Sequence, residues 1–248
     1  MSLSDEELER YARHIVLPQV GGIGQRKLKD ARVAVVGAGG IGSTVIPALA
    51  GAGIGRLTII DSDIVDIANL HRQPLFTEAD AGKAKAALAA QFVSGLNHFV
   101  DVNPKEERIG PQNAAHLLGE HDLVIDGSDN FATRLAVSNA CVALGIPLLS
   151  AAAIQFQGQV GLFRNRPCYR CFVGDAFDSD DCDNCAELGV LGALTATVGS
   201  FAALLAVNTL VGIGDDEAGQ VHLFDGEKLS WRSIRIPADP GCRVCGSA

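Results

Sequence analysis

The sequence has few aromatic residues and no excess of positive charge. Aromatic side chains make up 5% of the 248 residues, and 20 basic residues face 29 acidic ones, giving a formal net charge of −9. Without a basic excess to neutralise phosphates, the composition argues against a general nucleic-acid binder or a membrane-surface binder. Hydrophobic residues make up 48%, so the chain is expected to bury a sizeable core rather than to be disordered.

Signals for export or membrane insertion are also weak. The first ten residues are polar and acidic, unlike a signal peptide. One stretch without charge, between Glu187 and Asp215, is long enough to cross a bilayer. It contains several glycine, threonine and asparagine residues, and neither an aromatic belt nor a basic flank frames it. We therefore expect a buried helix or an oligomer interface, in a cytoplasmic protein with no membrane partner.

The N-terminal half predicts an alternating strand and helix pattern. An apolar strand at 32–37 stops at glycine, a helix follows at 41–52, and a second strand covers 56–61. This order opens a Rossmann-like, doubly wound, mainly parallel sheet. Further predicted elements are a helix at 5–16, a turn at Gly21, Gly22 and Gly24, helices at 83–94 and 131–144, and strands at 98–103, 122–126 and 147–150.

After residue 155 the pattern changes. The segments 159–163 and 220–224 alternate apolar and polar residues without crossover helices of their own, which indicates antiparallel strands that extend the sheet. We expect one α/β domain over 1–248, with an N-terminal helical segment (1–30), a nucleotide-binding part (31–155) and a cysteine-bearing part (156–248).

A glycine-rich loop lies between the first strand and its helix. Gly39, Gly40 and Gly42 belong to Gly-Ala-Gly-Gly-Ile-Gly, where backbone N–H groups and a helix N-terminus can bind phosphate. Asp61 ends the second strand, as a ribose-hydroxyl acceptor does in dinucleotide-binding proteins. This motif alone is also typical of NAD- and FAD-dependent enzymes, so a nicotinamide-dependent oxidoreductase is the first alternative.

Polar and cationic groups after the second strand favour a different reaction. A hydride-transfer enzyme does not cleave the pyrophosphate of NAD, whereas an enzyme that transfers AMP must offset charge that gathers on phosphate. The Asp126-Gly-Ser-Asp129-Asn130 turn offers a carboxylate for Mg²⁺, although Asp129 could equally cap the following helix. The nucleotide-binding candidates come from the stretch after the second strand and from the turn at 126–130. They are Asp63, Asn69, Arg72, Gln73, Lys85, Asp129 and Asn130. Arg134 is equally consistent with a surface helix residue and with a phosphate contact.

Three Cys-x-x-Cys pairs indicate metal binding or thiol chemistry. They are Cys168/Cys171, Cys182/Cys185 and Cys242/Cys245. Two pairs suffice for a tetrahedral Zn²⁺ site. Spacing alone favours joining the first two pairs, but the cost of closing a longer loop grows slowly with length, so the first and third pairs are the alternative.

Taken together, these segments resemble the MoeB/ThiF/HesA family, the bacterial relatives of the ubiquitin-activating enzymes. The matching stretches are 10–15, 37–42, 61–63, 69–73, Lys85, 126–130, 167–171, 185–192 and 240–246. The resemblance implies an ATP-dependent adenylyltransferase, acting in molybdopterin or thiamin biosynthesis. Its substrate would be a ubiquitin-like sulfur carrier that ends in Gly-Gly.

The resemblance also implies roles for individual residues. Arg72, Lys85 and Asp129 would be catalytic, Asp129 would bind Mg²⁺, and Arg13 would reach into the partner subunit's site of a homodimer. It favours Zn²⁺ at Cys168, Cys171, Cys242 and Cys245, away from catalysis. Cys185 matches a cysteine that in some members links covalently to the carrier, although nearby acidic residues would raise its pKa. Longer members carry a rhodanese domain, so a separate protein would donate sulfur.

A non-catalytic alternative is a scaffold protein that is stabilised by a structural zinc site and keeps affinity for nucleotides. The complete set of phosphate-binding groups argues against it, and the missing acid–base residues argue against the oxidoreductase.

Overall fold

The structure, a computed structural model, describes residues 2–174 and 189–246. Its strands are β1 (Arg32–Val36), β2 (Arg56–Ile60), β3 (Asp101–Lys105), β4 (Leu123–Asp126), β5 (Leu148–Ile154), β6 (Gln157–Phe163), β7 (Gln220–Asp225) and β8 (Ser230–Arg235). Its α-helices are α1 (Asp5–Arg10), α2 (Ala12–Ile15), α3 (Gly21–Asp30), α4 (Gly42–Ala52), α5 (Lys85–Leu96), α6 (Ala114–Leu118), α7 (Phe131–Leu144), α8 (Tyr169–Val173) and α9 (Gly192–Val211).

All the strands join one sheet in the order β3-β2-β1-β4-β5-β6-β7-β8. Strands β1 to β5 run parallel to one another, whereas the pairs β5–β6, β6–β7 and β7–β8 are antiparallel. The predicted fold class, a parallel sheet extended by antiparallel C-terminal strands, is confirmed. Parallel strands require crossover helices, and these helices carry the chain back so that each strand ends at the same edge.

Helices cover both faces of the sheet. Along β1, Val33 and Val35 are buried in one apolar cluster, while Ala34 and Val36 are buried in a second cluster on the opposite face. The first cluster includes residues of α4, α5 and α9, and the second includes residues of α6 and α7. Because both faces are covered, the central strands are continuous apolar runs, which is the pattern visible in the sequence.

The long uncharged stretch forms α9. This helix of 20 residues is long and apolar enough to cross a membrane by length and composition, yet half of its most apolar window is buried inside the fold. Val198 and Ala202 are fully buried in the first apolar cluster. The predicted buried helix is therefore present, and its apolar character reflects its place in the core.

Three local predictions were wrong. Gly21, Gly22 and Gly24 begin α3 instead of forming a turn. A Cβ at Gly24 would come within 2.8 Å of a methyl group of Val211, so this glycine allows α3 to pack closely on α9. The helix predicted at 5–16 is divided at Tyr11, whose side chain turns inward and whose hydroxyl accepts a hydrogen bond from Asn97.

The third error concerns sheet boundaries. The strand predicted at 98–103 begins later, as β3. Strand β8 was not predicted at all, because its six residues are exposed and carry no apolar alternation. The strand predicted at 147–150 continues to Ile154, which lets β5 pair along its full length with β6.

Candidate active site

A cavity of about 1040 Å³ opens at the carboxyl ends of the parallel strands. Ten predicted binding residues line it: Gly39, Gly40, Asp61, Asp63, Asn69, Arg72, Gln73, Lys85, Asp129 and Asn130. They come from three separate segments of the chain, and the parallel topology brings these segments to one edge. The cavity is large enough for a nucleotide with room for a second group.

The glycine loop is shaped by two backbone requirements. Gly37 has φ +89°, a left-handed conformation that glycine adopts without strain. A Cβ on Gly42 would lie 2.1 Å from the carbonyl oxygen of Gly37, so no side chain fits there. Gly42 itself does not line the cavity, whereas Gly39 and Gly40 do. Gly42 therefore acts by permitting the tight turn that presents the other two glycines.

Asp61 connects the glycine loop to the loop that follows β2. One carboxylate oxygen accepts a hydrogen bond from the Ala38 N–H at 2.7 Å, and the other accepts one from the Asp63 N–H at 2.8 Å. Burial raises the pKa of the Asp61 carboxyl, and these two N–H groups and the charge of Lys85 only partly oppose that effect. Each oxygen retains a lone pair, so Asp61 can still accept hydrogen bonds from a ribose.

Lys85 is a buried cation beside the cavity. It is the first residue of α5, and its side chain is only 5% exposed. Its Nζ lies 3.2 Å from a carboxylate oxygen of Asp63, whose side chain is 68% exposed. The backbone N–H of Lys85 also donates to the Asp63 carbonyl at 3.0 Å. The ammonium group is thus held in place with one exposed counter-ion, which a phosphate could replace.

The 69–73 segment supplies the other polar groups on this side. Arg72 is half-buried, and its Nη1 lies 2.9 Å from Nε2 of His71. Gln73 is buried, and its Oε1 has no hydrogen-bond partner among the described residues. A buried amide oxygen without a partner costs free energy, which a bound ligand would recover. Gly192 fixes this segment against α9, because a Cβ there would lie 2.2 Å from the His71 carbonyl.

The turn after β4 carries the carboxylates on the opposite side. Asp126 is buried, and its Oδ1 accepts a hydrogen bond from the Ser128 N–H at 2.9 Å. Its Oδ2 and the hydroxyl of Ser128 are buried without partners among the described residues. Asp129 is exposed to the cavity, and Asn130 caps α7 by accepting from the Thr133 N–H at 2.8 Å. The helix-capping role considered for Asp129 therefore belongs to Asn130. Carboxylate oxygens are ligands that Mg²⁺ prefers, and of the two aspartates in this turn only Asp129 lines the cavity, so Asp129 fits that role.

Arg134 is not the surface helix residue considered from the sequence, and because it lines the cavity its alternative role as a phosphate contact stays a prediction. It is 6% exposed and donates to the Ser150 hydroxyl at 3.1 Å and to the Ala151 carbonyl at 2.9 Å. It also donates to the Ser128 carbonyl. Burial lowers its pKa, but the charge of Asp126 and the neighbouring Tyr169 and Asp129 outweigh this and the net pKa is raised. Arg134 therefore stays charged and holds the turn that bears Asp129.

Other cavity residues were missed from the sequence. Arg108 follows β3 and reaches the cavity, and its position after a third parallel strand was a signal that could have found it. Gln157 and Gln159 on β6 and Arg232 on β8 line the far end of the same cavity. No sequence pattern marked these, because the pairing of β6 with β7 and of β7 with β8 brings them together.

One predicted residue lies apart from this cavity, and another is outside the described residues. Arg13 is exposed on α2 and is absent from the cavity lining. Cys185 lies outside the described residues, as does Cys182, so neither its predicted role nor the pairing of Cys168/Cys171 with these cysteines is tested.

The remaining cysteine pairs meet at a second site. The sulfur atoms of Cys168, Cys171, Cys242 and Cys245 all lie within 4.8 Å of one another. Two of the separations are 3.7 Å (Cys168 to Cys242) and 3.4 Å (Cys171 to Cys245). A tetrahedron with zinc–sulfur bonds of about 2.3 Å has sulfur atoms about 3.8 Å apart.

The cysteine cluster suits a metal that binds thiolates. The described cysteines form no disulfide. Burial raises the pKa of Cys242, but N–H groups of Cys245 and Val244 more than offset this and lower it to about 7. The other shifts run the opposite way, because burial raises the pKa of Cys168 and of Cys245. The close approach of the four sulfur atoms is therefore what fits a tetrahedral metal site.

Comparisons with known proteins agree on one family. A ThiF family profile matches residues 11–244. The chain is 44% identical to the sulfur carrier protein adenylyltransferase of Thermus thermophilus, over 99% of this chain and 93% of that protein. It is 37% identical to the molybdopterin-synthase adenylyltransferase of Escherichia coli K12, over 98% of each. The solved structure of E. coli MccB with ATP superposes with a TM-score of 0.84 at 24% identity, covering 98% of this chain and 75% of that one, which shows a shared fold.

Proposed function

The chain belongs to the ThiF family, and we propose that it is an ATP-dependent adenylyltransferase for a ubiquitin-like sulfur-carrier protein. One observation carries the proposal. A single cavity is lined both by the glycine loop, Asp61, Arg72 and Lys85 and by side chains of the antiparallel strands β6 and β8. The first group of residues suits ATP, and the second is where we place the extended Gly-Gly tail of the carrier.

The reaction joins the terminal carboxylate of the carrier to AMP. A carboxylate oxygen attacks the α-phosphorus, the bond from that phosphorus to the bridging oxygen breaks, and its electron pair leaves with pyrophosphate. Negative charge gathers on the phosphates as both bonds are partly formed. Lys85 and Arg72 border the cavity where this charge develops, and preorganised cations in a buried site stabilise it strongly.

Magnesium is part of the same proposal. The exposed carboxylate of Asp129, which lines the cavity, would hold Mg²⁺, which would neutralise charge on the phosphates and the leaving pyrophosphate. The residues of the chain then orient the nucleotide: Asp61 accepts from the ribose, while the glycine loop donates backbone N–H groups.

The tail would enter from the antiparallel side. Gln157, Gln159 and Arg232 present amide and guanidinium groups toward the cavity from β6 and β8. An extended glycine tail has only backbone N–H and C=O groups to offer, and amide side chains can pair with both.

A pyrophosphate-exchange assay tests the proposal. The protein should exchange labelled pyrophosphate into ATP only when a carrier ending in Gly-Gly is present. Removal of the carrier's last glycine should abolish exchange. Equal exchange with the shortened carrier would contradict the proposed substrate, and saturable NAD(H) binding without competition by ATP would favour the oxidoreductase alternative.

A homodimer with shared sites is also proposed. Arg13 does not line the cavity of its own chain, and beside it Val16 is 70% exposed and Ile23 is 67% exposed. We infer that this surface meets a second copy and that Arg13 enters the partner's cavity. Mixing Arg13→Ala with Lys85→Met should restore about a quarter to a half of the activity, since some mixed dimers have one intact site. Absence of any recovery would contradict a shared site.

The remaining assignments concern pathway and sulfur chemistry. By similarity to the relatives above, we propose a cytoplasmic role in molybdopterin biosynthesis, with thiamin biosynthesis as the alternative and a separate protein as sulfur donor. Zn²⁺ would occupy the cysteine cluster. Cys185 is proposed to link to the carrier, and a covalent enzyme–carrier species that disappears in Cys185→Ala would support this.

A further inference from the structure

The helix that bears Arg13 is too short to hold its own position. Helix α2 has four residues, and α1 before it has six. Isolated helices of this length are marginal in water, so contacts with the rest of the fold decide where α2 lies. The side chain of Arg13 is itself exposed. The contacts that orient α2 therefore come from the residues beside Arg13.

Tyr11, two residues before Arg13, anchors the start of α2. Its side chain is 3% exposed, and a Cβ on Gly53 would lie 2.5 Å from its Cζ atom, so the ring lies directly over this glycine. Its hydroxyl accepts a hydrogen bond from Nδ2 of Asn97 at 2.8 Å. The same Nδ2 donates to the Ala50 carbonyl at 2.7 Å. A buried amide thus ties Tyr11 to the main chain of the core.

His14, directly after Arg13, is tied in a similar way. Its Nδ1 lies 3.2 Å from Oε1 of Gln25. An amide oxygen can only accept, so Nδ1 donates in this pair. Nε2 of Gln25 donates to the Ala52 carbonyl at 2.8 Å, and the Gln25 side chain is fully buried. A second buried amide therefore ties the other side of α2 to the core.

Both ties end on the last turn of α4. Carbonyls at the C-terminal end of a helix lack their usual partners within the helix, and the two amides donate to those of Ala50 and Ala52. Helix α4 begins at Gly42, directly after the glycine loop, and packs in the first apolar cluster. It is a core element, so the two ties fix α2 on a rigid support, with Arg13 between them.

We propose that Tyr11 and His14 are positioning residues, which hold Arg13 in the orientation that enters the partner's cavity. The two ties restrict α2 on both sides of Arg13, while the exposed guanidinium remains available to a second copy. This inference rests on the proposed shared site for its kinetic consequence. Its structural consequence, a fixed α2, depends on no reaction.

Mixed dimers separate a positioning role from a general effect on stability. A Lys85→Met chain has a defective cavity and an intact Arg13, and an Arg13→Ala chain has the converse defects. In a dimer of the two, the working site combines the cavity of the Arg13→Ala chain with the arginine of the Lys85→Met chain. Tyr11→Phe can then be placed in either chain.

The two placements should give different rates. In the Lys85→Met chain, Tyr11→Phe should lower kcat for pyrophosphate exchange about fivefold per mixed dimer, because one buried hydrogen bond is lost. In the Arg13→Ala chain it should leave kcat unchanged, since that chain supplies no arginine. Native mass spectrometry would count the mixed dimers. His14→Phe should show the same asymmetry with a smaller fall.

Amide exchange measures the structural consequence directly. In a chain that carries Tyr11→Phe alone, hydrogen–deuterium exchange of the peptide covering 10–16 should become faster. Ser94→Ala is the matched control, because Ser94 lies one turn before Asn97 and its hydroxyl donates to the Ala90 carbonyl within α5 at 3.0 Å. In the Lys85→Met chain it should change neither kcat nor the exchange at 10–16.

Each other outcome overturns the inference. Equal falls in the two placements would show that Tyr11 only stabilises the fold, and no fall in either would show that its hydroxyl does not orient Arg13. If the parent mixture of Lys85→Met and Arg13→Ala is inactive, the proposed shared site fails. Amide exchange then still decides whether Tyr11 fixes α2, and unchanged exchange at 10–16 would contradict that.

Discussion

The candidate active site and the cysteine cluster are assembled in different ways. The cavity collects residues that follow successive parallel strands, and each strand ends at the same edge of the sheet. The cysteine cluster joins Cys168 and Cys171 to Cys242 and Cys245, across the antiparallel strands β7 and β8 that lie between them in sequence. The first arrangement follows from the parallel topology of the sheet. The second brings together cysteines that are far apart in sequence, and a bound metal would hold them in contact.

This difference predicts different responses to mutation. A change at the cavity should alter chemistry with little effect on stability, because cavity side chains are stabilised by few partners. A change at the cysteine cluster should alter stability first.

The largest effect is expected at Lys85. Lys85→Met keeps a long apolar stem in a buried position but removes the charge that faces the phosphates. We expect pyrophosphate exchange to fall about 10²- to 10³-fold, as for other preorganised groups that stabilise developing charge. Steady-state kinetics would measure the loss, and the melting temperature should change little.

Lys83→Met is the matched control. Lys83 is exposed, pairs with Asp80 at 3.3 Å and does not line the cavity. Its replacement should leave exchange within about twofold of wild type, since exposed ion pairs contribute little. Equal losses in the two variants would contradict a specific role for Lys85.

A smaller effect, on stability, is expected at the cysteine cluster. Cys242→Ser should remove a metal ligand and lower the melting temperature by about 10 °C, because metal binding contributes directly to folding free energy. Scanning calorimetry and metal analysis would measure both changes. Below the melting transition, exchange activity should fall much less than in Lys85→Met.

Cys141→Ala controls for the loss of a cysteine. Cys141 is buried in the second apolar cluster, and burial raises the pKa of its thiol to about 12, so it remains an uncharged packing residue. The variant should keep its metal. A normal metal content in Cys242→Ser would remove the distinction between the two regions.

The smallest effect concerns the pH dependence of ATP binding. Burial raises the pKa of Asp61 above its usual value, so its carboxylate is lost at a higher pH than that of an ordinary aspartate. As the pH is lowered, the Kd for ATP should therefore begin to rise at a higher pH than an ordinary aspartate would cause, because the ribose acceptor becomes protonated. Titration calorimetry would measure this rise, which should be absent in Asp61→Asn.

Stability should not follow the same course. A group whose pKa is raised in the folded state favours folding at low pH, and this contribution is lost as the pH rises through the folded pKa. Protonation of Asp61 therefore does not destabilise the fold. If the melting temperature fell in parallel with ATP affinity, and equally in Asp61→Asn, the effect would not arise at this carboxylate.

The parallel half could be predicted from the sequence because its signals are local. The apolar runs at β1, β2 and β4 end at Gly37, Asp61 and Asp126, so strand ends and polar candidates appear side by side. The glycines of α3 misled the prediction, because close packing on α9 and a turn both demand glycine.

The antiparallel part of the sheet and the burial of Arg134 could not be predicted in the same way. Arg232 reaches the cavity only because β8 pairs with β7 and β7 with β6, and β8 carries no apolar alternation. Arg134 has the sequence context of a surface helix residue, and its burial follows from the approach of Ser150 and Ala151 on β5. The positions of both residues depend on the long-range pairing of strands. A single sequence does not encode that pairing in local patterns.

The most direct test of adenylyl transfer is the intact mass of the carrier. The protein, ATP and a carrier ending in Gly-Gly would be mixed, quenched and analysed by mass spectrometry, with molybdopterin-pathway and thiamin-pathway carriers compared. The account predicts a carrier that gains the mass of one AMP group, and no gain with Lys85→Met. A carrier of unchanged mass in the presence of wild-type protein and bound ATP would contradict it.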